Sequence, residues 1–102
     1  MAKSVKIISM NEFNFLRSPA EISRDVAKRM RGRRKEKKWS QMELSKRSGV
    51  SLGSLKRFER TGEISLSSLV KIAFAIGCEY DFDHLFSKKT YSSIEEVIYE
   101  KL

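Results

Sequence analysis

Residues 39–62 constrain the fold of this chain more than any other stretch, because they contain two successive sets of helix signals. Ser40 is followed three residues later by Glu43, a spacing typical of a capping box, and Gly49 stands where a helix begun there would end. Ser51 is then a second N-cap. The stretch therefore predicts two short helices joined by a tight turn that contains glycine.

The second of these helices has one apolar face and several polar ones. Leu55 and Phe58 lie three residues apart and predict its buried side. The other faces carry mostly small residues and long cations. The residues on these faces are Leu52, Gly53, Ser54, Lys56, Arg57 and Arg60. A helix with this surface and a free N-terminus suits the major groove of DNA, so the pair is interpreted as a helix-turn-helix.

The charge of the chain is concentrated around this motif. The net charge is +8, but residues 17–60 alone hold 15 Lys and Arg against 5 Asp and Glu, a net of +10. A general excess of lysine is often only a solubility feature. Its concentration beside a helix-turn-helix favours a polyanionic partner.

An earlier helix is predicted from Ser18 to about Lys37, with proline at its first position and glutamate at its third. Its inward stripe is predicted to be Ile22, Val26 and Met30. The other faces are almost wholly cationic from residue 28 onwards, which is either a solvated surface or a phosphate-binding one. Arg33 and Lys38 are the cations expected to contact phosphate, since they lie nearest the next helix.

Two further helices are predicted after the motif. Ser65 begins one that is apolar over most of its surface and ends at Gly77, so it is expected at the centre of the bundle. Asp81 is expected to cap a short fifth helix. Its inward side chains are predicted to be Phe82, Leu85 and Phe86.

The expected domain boundaries are an N-terminal arm at 1–17, a helix-turn-helix domain at 18–86 and a C-terminal helical extension at 87–102. Ser92 begins a last helix with Ile94, Val97, Ile98 and Leu102 at helical spacing. The arm is too apolar for a free tail, with Val5, Ile7, Ile8, Phe13, Phe15 and Leu16. Either terminal segment could pack on its own subunit or form a dimer interface.

Several function classes have no support in the sequence. One cysteine and one histidine, Cys78 and His84, are too few for a structural zinc site, and no cofactor or metal is expected. No nucleophile is paired with a base, so no catalytic residue and no enzyme activity are predicted. The single cysteine fits a reducing cytoplasm, and no apolar run is long enough to suggest a membrane partner.

Residues 28–77 resemble the Cro/repressor-type (XRE) helix-turn-helix family. The resemblance rests on four motifs: W-S-Q-x-E-L, S-G-V-S, L-K-R-F-E-R-x-G and S-L-x-x-L-V-K-I-A-x-A-I-G. Two departures are Ser45, where the family usually has alanine, and the missing proline near Ile64. The implied fold is an all-α, five-helix repressor-like DNA-binding bundle, here with an N-terminal arm and an added C-terminal helix.

The resemblance also implies roles for individual residues. Base-reading positions correspond to Leu52, Gly53 and Arg57, with Ser51 and Ser54 beside them. Phosphate contacts correspond to Ser40, Gln41, Arg60 and Thr61, with Lys56 added from the exposed cations of the same helix. Arg34 and Glu59 correspond to a partly buried structural ion pair of the family.

The predicted function is a bacterial or phage transcriptional regulator that binds double-stranded DNA sequence-specifically, acting as a homodimeric repressor with helix 52–60 in the major groove. The alternative is an antitoxin-like module that binds a toxin protein and also regulates its own operon. The apolar terminal segments motivate this alternative, because similar small proteins with such additions resemble the antitoxins of HipA-type kinases.

Overall fold

The computed structural model describes residues 17–90 together with Ile98 and Glu100, and these residues form an all-helical bundle. The elements are α1 (Pro19–Glu36), α2 (Gln41–Ser48), α3 (Leu52–Thr61), α4 (Leu66–Ile76) and a 3₁₀-helix (Glu79–His84). The predicted all-α class is confirmed, with a 3₁₀-helix as the fifth element. The predicted arm, apart from Arg17, lies outside the described residues, as does most of the C-terminal extension, of which Ile98 and Glu100 are helical.

Helix α1 begins at a complete capping box, as predicted. The Ser18 hydroxyl accepts a hydrogen bond from the Glu21 N–H at 3.1 Å, and the Glu21 carboxylate accepts one from the Ser18 N–H at 2.8 Å. At α2 only half of the predicted box forms. Ser40 accepts from the Glu43 N–H at 3.0 Å, but the Glu43 carboxylate accepts from Arg47 Nε at 2.8 Å instead.

The core lies where α1, α2, α3 and α4 meet, with α1 packed chiefly on α3, and α2 packed on both α3 and α4. Its largest fully buried side chains are Leu44, Leu55, Phe58 and Ile72. Burial of each such side chain contributes about 1.5–3 kcal/mol. Ala27 and Met30 of α1 complete this core, so all four α-helices contribute buried residues to it.

The buried face of α1 differs from the predicted stripe. Ala27, Met30 and Arg34 are its buried residues, whereas Ile22 is 43% exposed and Val26 is half-buried. Residues 27, 30 and 34 follow the i, i+3, i+7 spacing of one helix face. The prediction for Ile22 was wrong because the stripe was drawn through apolar residues alone, and a buried arginine completes the true face.

Helix α4 is buried on one side only. Ile72, Ala73 and Ile76 face the core, whereas Leu66, Val70 and Phe74 are exposed at i, i+4 and i+8. The expectation that α4 occupies the centre of the bundle therefore holds for its buried residues. It does not hold for its exposed apolar residues, which lie on another side of the helix.

The segment after α4 also differs from expectation. The 3₁₀-helix begins at Glu79, so Asp81 lies inside it, and its N-cap residue Cys78 makes no side-chain capping bond. Leu85 is 53% exposed and Phe86 is 95% exposed, which contradicts the prediction that both face inwards. Both residues lie beyond the end of the 3₁₀-helix at His84: Leu85 is extended and Phe86 has a left-handed φ of 62°, so neither continues a helix face.

The two helices of the motif are joined by hydrogen bonds in the turn itself. Gly49 takes a left-handed φ of 78° at the end of α2. Ser45, the residue that departs from the family's alanine, donates its hydroxyl to the Val50 carbonyl at 2.6 Å. Ser45 therefore satisfies a backbone acceptor of the turn as well as being small.

Gly62 and Gly49 provide a matched test of how α3 is held against α1. Both have φ near 80°, but a Cβ on Gly62 would lie 2.8 Å from backbone atoms of Ser23 and Arg24, whereas one on Gly49 would meet nothing within 4 Å. We expect Gly49→Ala to cost about 1–2 kcal/mol in unfolding free energy, from the left-handed conformation alone.

Gly62→Ala should cost roughly 2–5 kcal/mol, since about 1–3 kcal/mol of steric overlap is added to the same conformational cost. Urea denaturation of both variants measures the difference. Equal losses would show that the α1 backbone yields to the added methyl group.

Candidate nucleic-acid interface

The helix-turn-helix is fixed to α1 by a bidentate ion pair between Arg34 and Glu59. Arg34 Nε lies 2.7 Å from Glu59 Oε2, and Arg34 Nη2 lies 2.9 Å from Oε1. The side chains are only 9% and 5% exposed. Arg34 Nη1 also donates to the Trp39 carbonyl at 2.8 Å, so this one guanidinium joins α1, the α1–α2 connection and α3.

Gln41, the first residue of α2, contacts the same carboxylate. Its amide Nε2 donates to Glu59 Oε1 at 3.0 Å. A side-chain amide has two N–H donors, so one hydrogen of this group is left for another acceptor. The bond fixes the amide at the N-terminus of α2, where the helix dipole also favours an anion.

A cleft of about 480 Å³ opens beside this pair, between the end of α1, the start of α2 and the outer side of α3. Its lining residues are Arg31, Arg34, Ser40, Gln41, Lys56, Glu59 and Arg60. Arg34 and Glu59 neutralise each other. The remaining lining charges are three cations, so the cleft combines positive charge with the free end of a helix, the chemistry that binds phosphate.

Four predicted phosphate residues, Ser40, Gln41, Lys56 and Arg60, thus come together in this cleft. Arg33 does not join them, because its guanidinium pairs with Glu36 and its side chain lines a separate apolar groove between α1 and α4.

Arg31 takes the position expected for Arg33, with its Nε 3.8 Å from Glu59 Oε1. The signal for it was present in the sequence. Residue 31 lies one turn before Arg34 on the same helix face, and Arg34 was already expected to face Glu59.

Lys38, the other predicted cation of this segment, lies just after α1 and does not line the cleft. Its backbone is left-handed, with φ 61°, and its N–H donates to the Lys35 carbonyl at 2.9 Å. It therefore closes α1 in the conformation that glycine usually supplies.

The exposed surface of α3 carries the predicted base-reading residues. Ser51 caps the helix, accepting from the Ser54 N–H at 3.2 Å and donating to the Ser54 hydroxyl at 2.9 Å. Leu52 is half-buried. A Cβ on Gly53 would meet nothing within 4 Å, so packing within the described chain does not require glycine there.

Arg57, the central cation of this surface, is not free in the structure. Its Nη2 donates to the carboxylate of Glu63, just beyond the end of α3. Thr61, a predicted phosphate contact, has its hydroxyl occupied as well, donating to the Arg57 carbonyl at 2.8 Å and accepting from the Glu63 N–H at 3.1 Å. Sequence reasoning did not foresee either role.

Two cations lie over the indole ring of Trp39, a contact that the sequence did not predict. The Arg47 guanidinium lies 4.3 Å from the centre of the indole ring, and Lys37 Nζ lies 5.3 Å from it. These contacts hold the α1–α2 connection against α2, beside the Trp39 carbonyl that Arg34 binds.

A family model described as helix-turn-helix matches residues 30–82, which is just over half of the chain and spans the whole site. The chain belongs to the Cro/repressor-type helix-turn-helix family. It is therefore a DNA-binding transcriptional regulator, with double-stranded DNA as its partner. Comparison with curated proteins and with solved structures gave no match.

Metal-ligand clusters and membrane spans are two other features that bear on function. Among residues 17–90, 98 and 100, no three His, Cys, Asp or Glu side chains are grouped so that they could hold a metal ion. No helix in this part of the chain is long and apolar enough to cross a membrane.

The buried pair predicts a large difference between two glutamates of the same region. Glu59→Ala leaves Arg34 buried without its partner and should cost about 3–5 kcal/mol in unfolding free energy. Glu36→Ala removes an exposed i, i+3 contact with Arg33 and should cost at most about 1 kcal/mol. Thermal and urea denaturation of both variants measure this contrast; equal small effects would contradict a structural role for Arg34 and Glu59.

Proposed function

We propose that the protein is a sequence-specific repressor that binds an operator as a homodimer, with α3 in the major groove of each half-site. The observation that carries this proposal is the cationic cleft at the N-terminus of α2, directly beside the exposed face of α3. The cleft suits a phosphate and the exposed face of α3 suits base edges. Both belong to the same rigid pair of helices.

In this proposal the cleft binds the DNA backbone. Ser40 and Gln41 present a hydroxyl and an amide N–H beside the free backbone N–H groups of α2, while Arg31, Lys56 and Arg60 supply the charge. The bond from Gln41 to Glu59 supports a fixed position for the amide, so ordering it on DNA binding costs little conformational entropy. Thr61 and Lys38 are secondary candidates, and Arg33 is replaced by Arg31.

The base-reading role falls to the outer face of α3. The guanidinium of Arg57 has the geometry to donate two hydrogen bonds to O6 and N7 of guanine, and Leu52 can contact a thymine methyl group. Gly53 allows the helix backbone to approach the bases closely, with Ser51 and Ser54 beside it. The open space around Gly53 supports this role, because glycine inside a helix costs about 0.5–1 kcal/mol relative to alanine without any packing need.

Dimerisation is supported by the exposed side of α4. Leu66, Val70 and Phe74 form an apolar stripe along this helix, and contiguous apolar surface of this kind typically marks a protein interface. A second copy of the chain is the occupant that a repressor with two half-sites requires. The antitoxin-like alternative would place a toxin protein against the same kind of surface, without changing the DNA-binding face.

Binding-site selection from random DNA with the wild type, Arg57→Ala and Gln41→Ala tests the base and phosphate roles together. Arg57→Ala should cost about 1–3 kcal/mol per half-site at one base position and relax the preference there. Gln41→Ala should weaken all sites by a similar factor and leave the preference intact, since a phosphate contact carries no sequence information.

The selected wild-type sites should contain two half-sites about one helical turn apart, ~34 Å, as a two-fold dimer requires. Single half-sites would contradict the homodimer. If Gln41→Ala shifted the preference and Arg57→Ala did not, the assignment of α3 to the base edges would be wrong.

Arg31 and Arg33 give a matched test of the cleft, since both belong to α1 and their side chains are 54% and 53% exposed. We expect Arg31→Ala to reduce affinity for all duplexes and to lower the log–log salt slope by about one per half-site. Arg33→Ala, which removes the same charge outside the cleft, should change the slope much less.

Fluorescence anisotropy titrations at several salt concentrations provide both the affinity and the salt slope of each variant. The wild-type slope should correspond to roughly 6–10 phosphates per dimer. Equal effects of the two variants would mean that long-range charge, rather than the cleft, determines affinity. A flat wild-type salt dependence would overturn the DNA-binding proposal itself.

A further inference from the structure

The ion pair between Arg57 and Glu63 connects the proposed base-reading arginine to a carboxylate outside the recognition helix. Glu63 follows α3 and shares a small cleft of about 300 Å³ with Arg57 and Ser54, at the proposed DNA-facing surface. An exposed ion pair contributes little to stability. A carboxylate at this position also repels phosphates, so its presence beside the main base-reading cation calls for an explanation other than folding.

The position of Glu63 is fixed by the turn that carries it. The Thr61 hydroxyl donates to the Arg57 carbonyl and accepts from the Glu63 N–H, so a single side chain links the backbones of both residues. Gly62 between them is left-handed and lies directly against the backbone of α1. The backbone at Glu63 is therefore held relative to that of Arg57, which keeps the two side chains within reach of each other.

We propose that Glu63 is a positioning residue that sets the base discrimination of Arg57 by holding its guanidinium away from phosphates. The inference rests on the proposed base-reading role of Arg57. Glu63 bonds Nη2 and leaves the other guanidinium donors available, because arginine has five N–H groups. Guanine offers two acceptors in one plane to the donors that Glu63 leaves available, whereas a phosphate on unrelated DNA must compete with the Glu63 carboxylate for the same guanidinium.

Glu63 thus lowers the contribution of Arg57 to binding of unrelated DNA more than to binding of the operator. The expected size follows from the strength of exposed ion pairs, which corresponds to a discrimination of about two- to fivefold per half-site. The effect requires Arg57, and this separates it from a general effect of negative charge near DNA.

The test is a double-mutant cycle with Glu63→Gln, Arg57→Ala and the combined variant, titrated against the selected operator and a duplex of unrelated sequence. Glu63→Gln keeps the size of the side chain and the backbone bond to Thr61, so folding should be unchanged in thermal melts. We expect the ratio of operator to unrelated affinity to fall by about two- to fivefold per half-site. In the Arg57→Ala background the same substitution should leave the ratio unchanged.

Glu36→Gln is the control for charge. It removes the same charge from a carboxylate that is 62% exposed, against 65% for Glu63, and that also pairs with an arginine. It should raise affinity for both duplexes by the same factor. If Glu63→Gln also left the ratio unchanged or increased it, the inference would be overturned, as it would be by a fall that persisted without Arg57.

The outcomes that overturn the inference about Glu63 can be distinguished from those that overturn the proposed function. The selection with Arg57→Ala reports whether Arg57 reads a base at all, independently of Glu63. A retained guanine preference there removes the base-reading role, whereas a relaxed preference combined with an unchanged ratio in Glu63→Gln removes only the inference about Glu63.

Discussion

The buried pair of Arg34 and Glu59 is the interaction on which the arrangement of this domain depends. Hydrophobic burial determines which face of each helix turns inwards, but apolar contacts are non-directional and fix the register between helices less specifically than hydrogen bonds do. The bidentate pair is directional, and Arg34 adds a bond to the Trp39 carbonyl while Gln41 adds one to Glu59. Three helices are thus fixed in register at one carboxylate. Desolvation makes such a pair a poor source of net stability, so its main contribution is orientation.

That orientation has a consequence for the proposed DNA-binding surface. The same carboxylate that fixes α3 to α1 also fixes the amide of Gln41, so the N-terminus of α2, proposed to bind phosphate, and the outer face of α3 cannot shift independently. Ser45 and Gly49 hold the turn between the two helices, and Gly62 brings the end of α3 against α1. A surface that is already ordered before binding loses less entropy when it meets a rigid duplex.

The sequence predicted best what is determined locally. Ser18, Ser40, Ser51 and Ser65 all cap helices as expected, because a cap depends on a side chain and a backbone N–H two or three residues away. Predictions that depended on helix phase or on distant competition were less accurate. Ile22 is exposed because a buried arginine continues the inner face of α1, and Glu43 binds Arg47 instead of completing its capping box. Leu85 and Phe86 are exposed because the 3₁₀-helix ends at His84, before either residue, so the helix face expected to carry them does not form.

Arg31 and Arg33 show why the composition of a basic helix does not identify which of its cations line a given cleft. Two positions separate them, which places them about 200° apart around the helix. One faces the cleft and the other faces a groove beside α4. Pairing divides the cations further: Arg34 is neutralised by Glu59 and Arg57 by Glu63, whereas Lys56 and Arg60 have no acidic partner among the described residues. The net charge of +8 is therefore a poor measure of the positive charge available to DNA. The position of each carboxylate determines which cations are already paired within the protein and which are left to attract a phosphate.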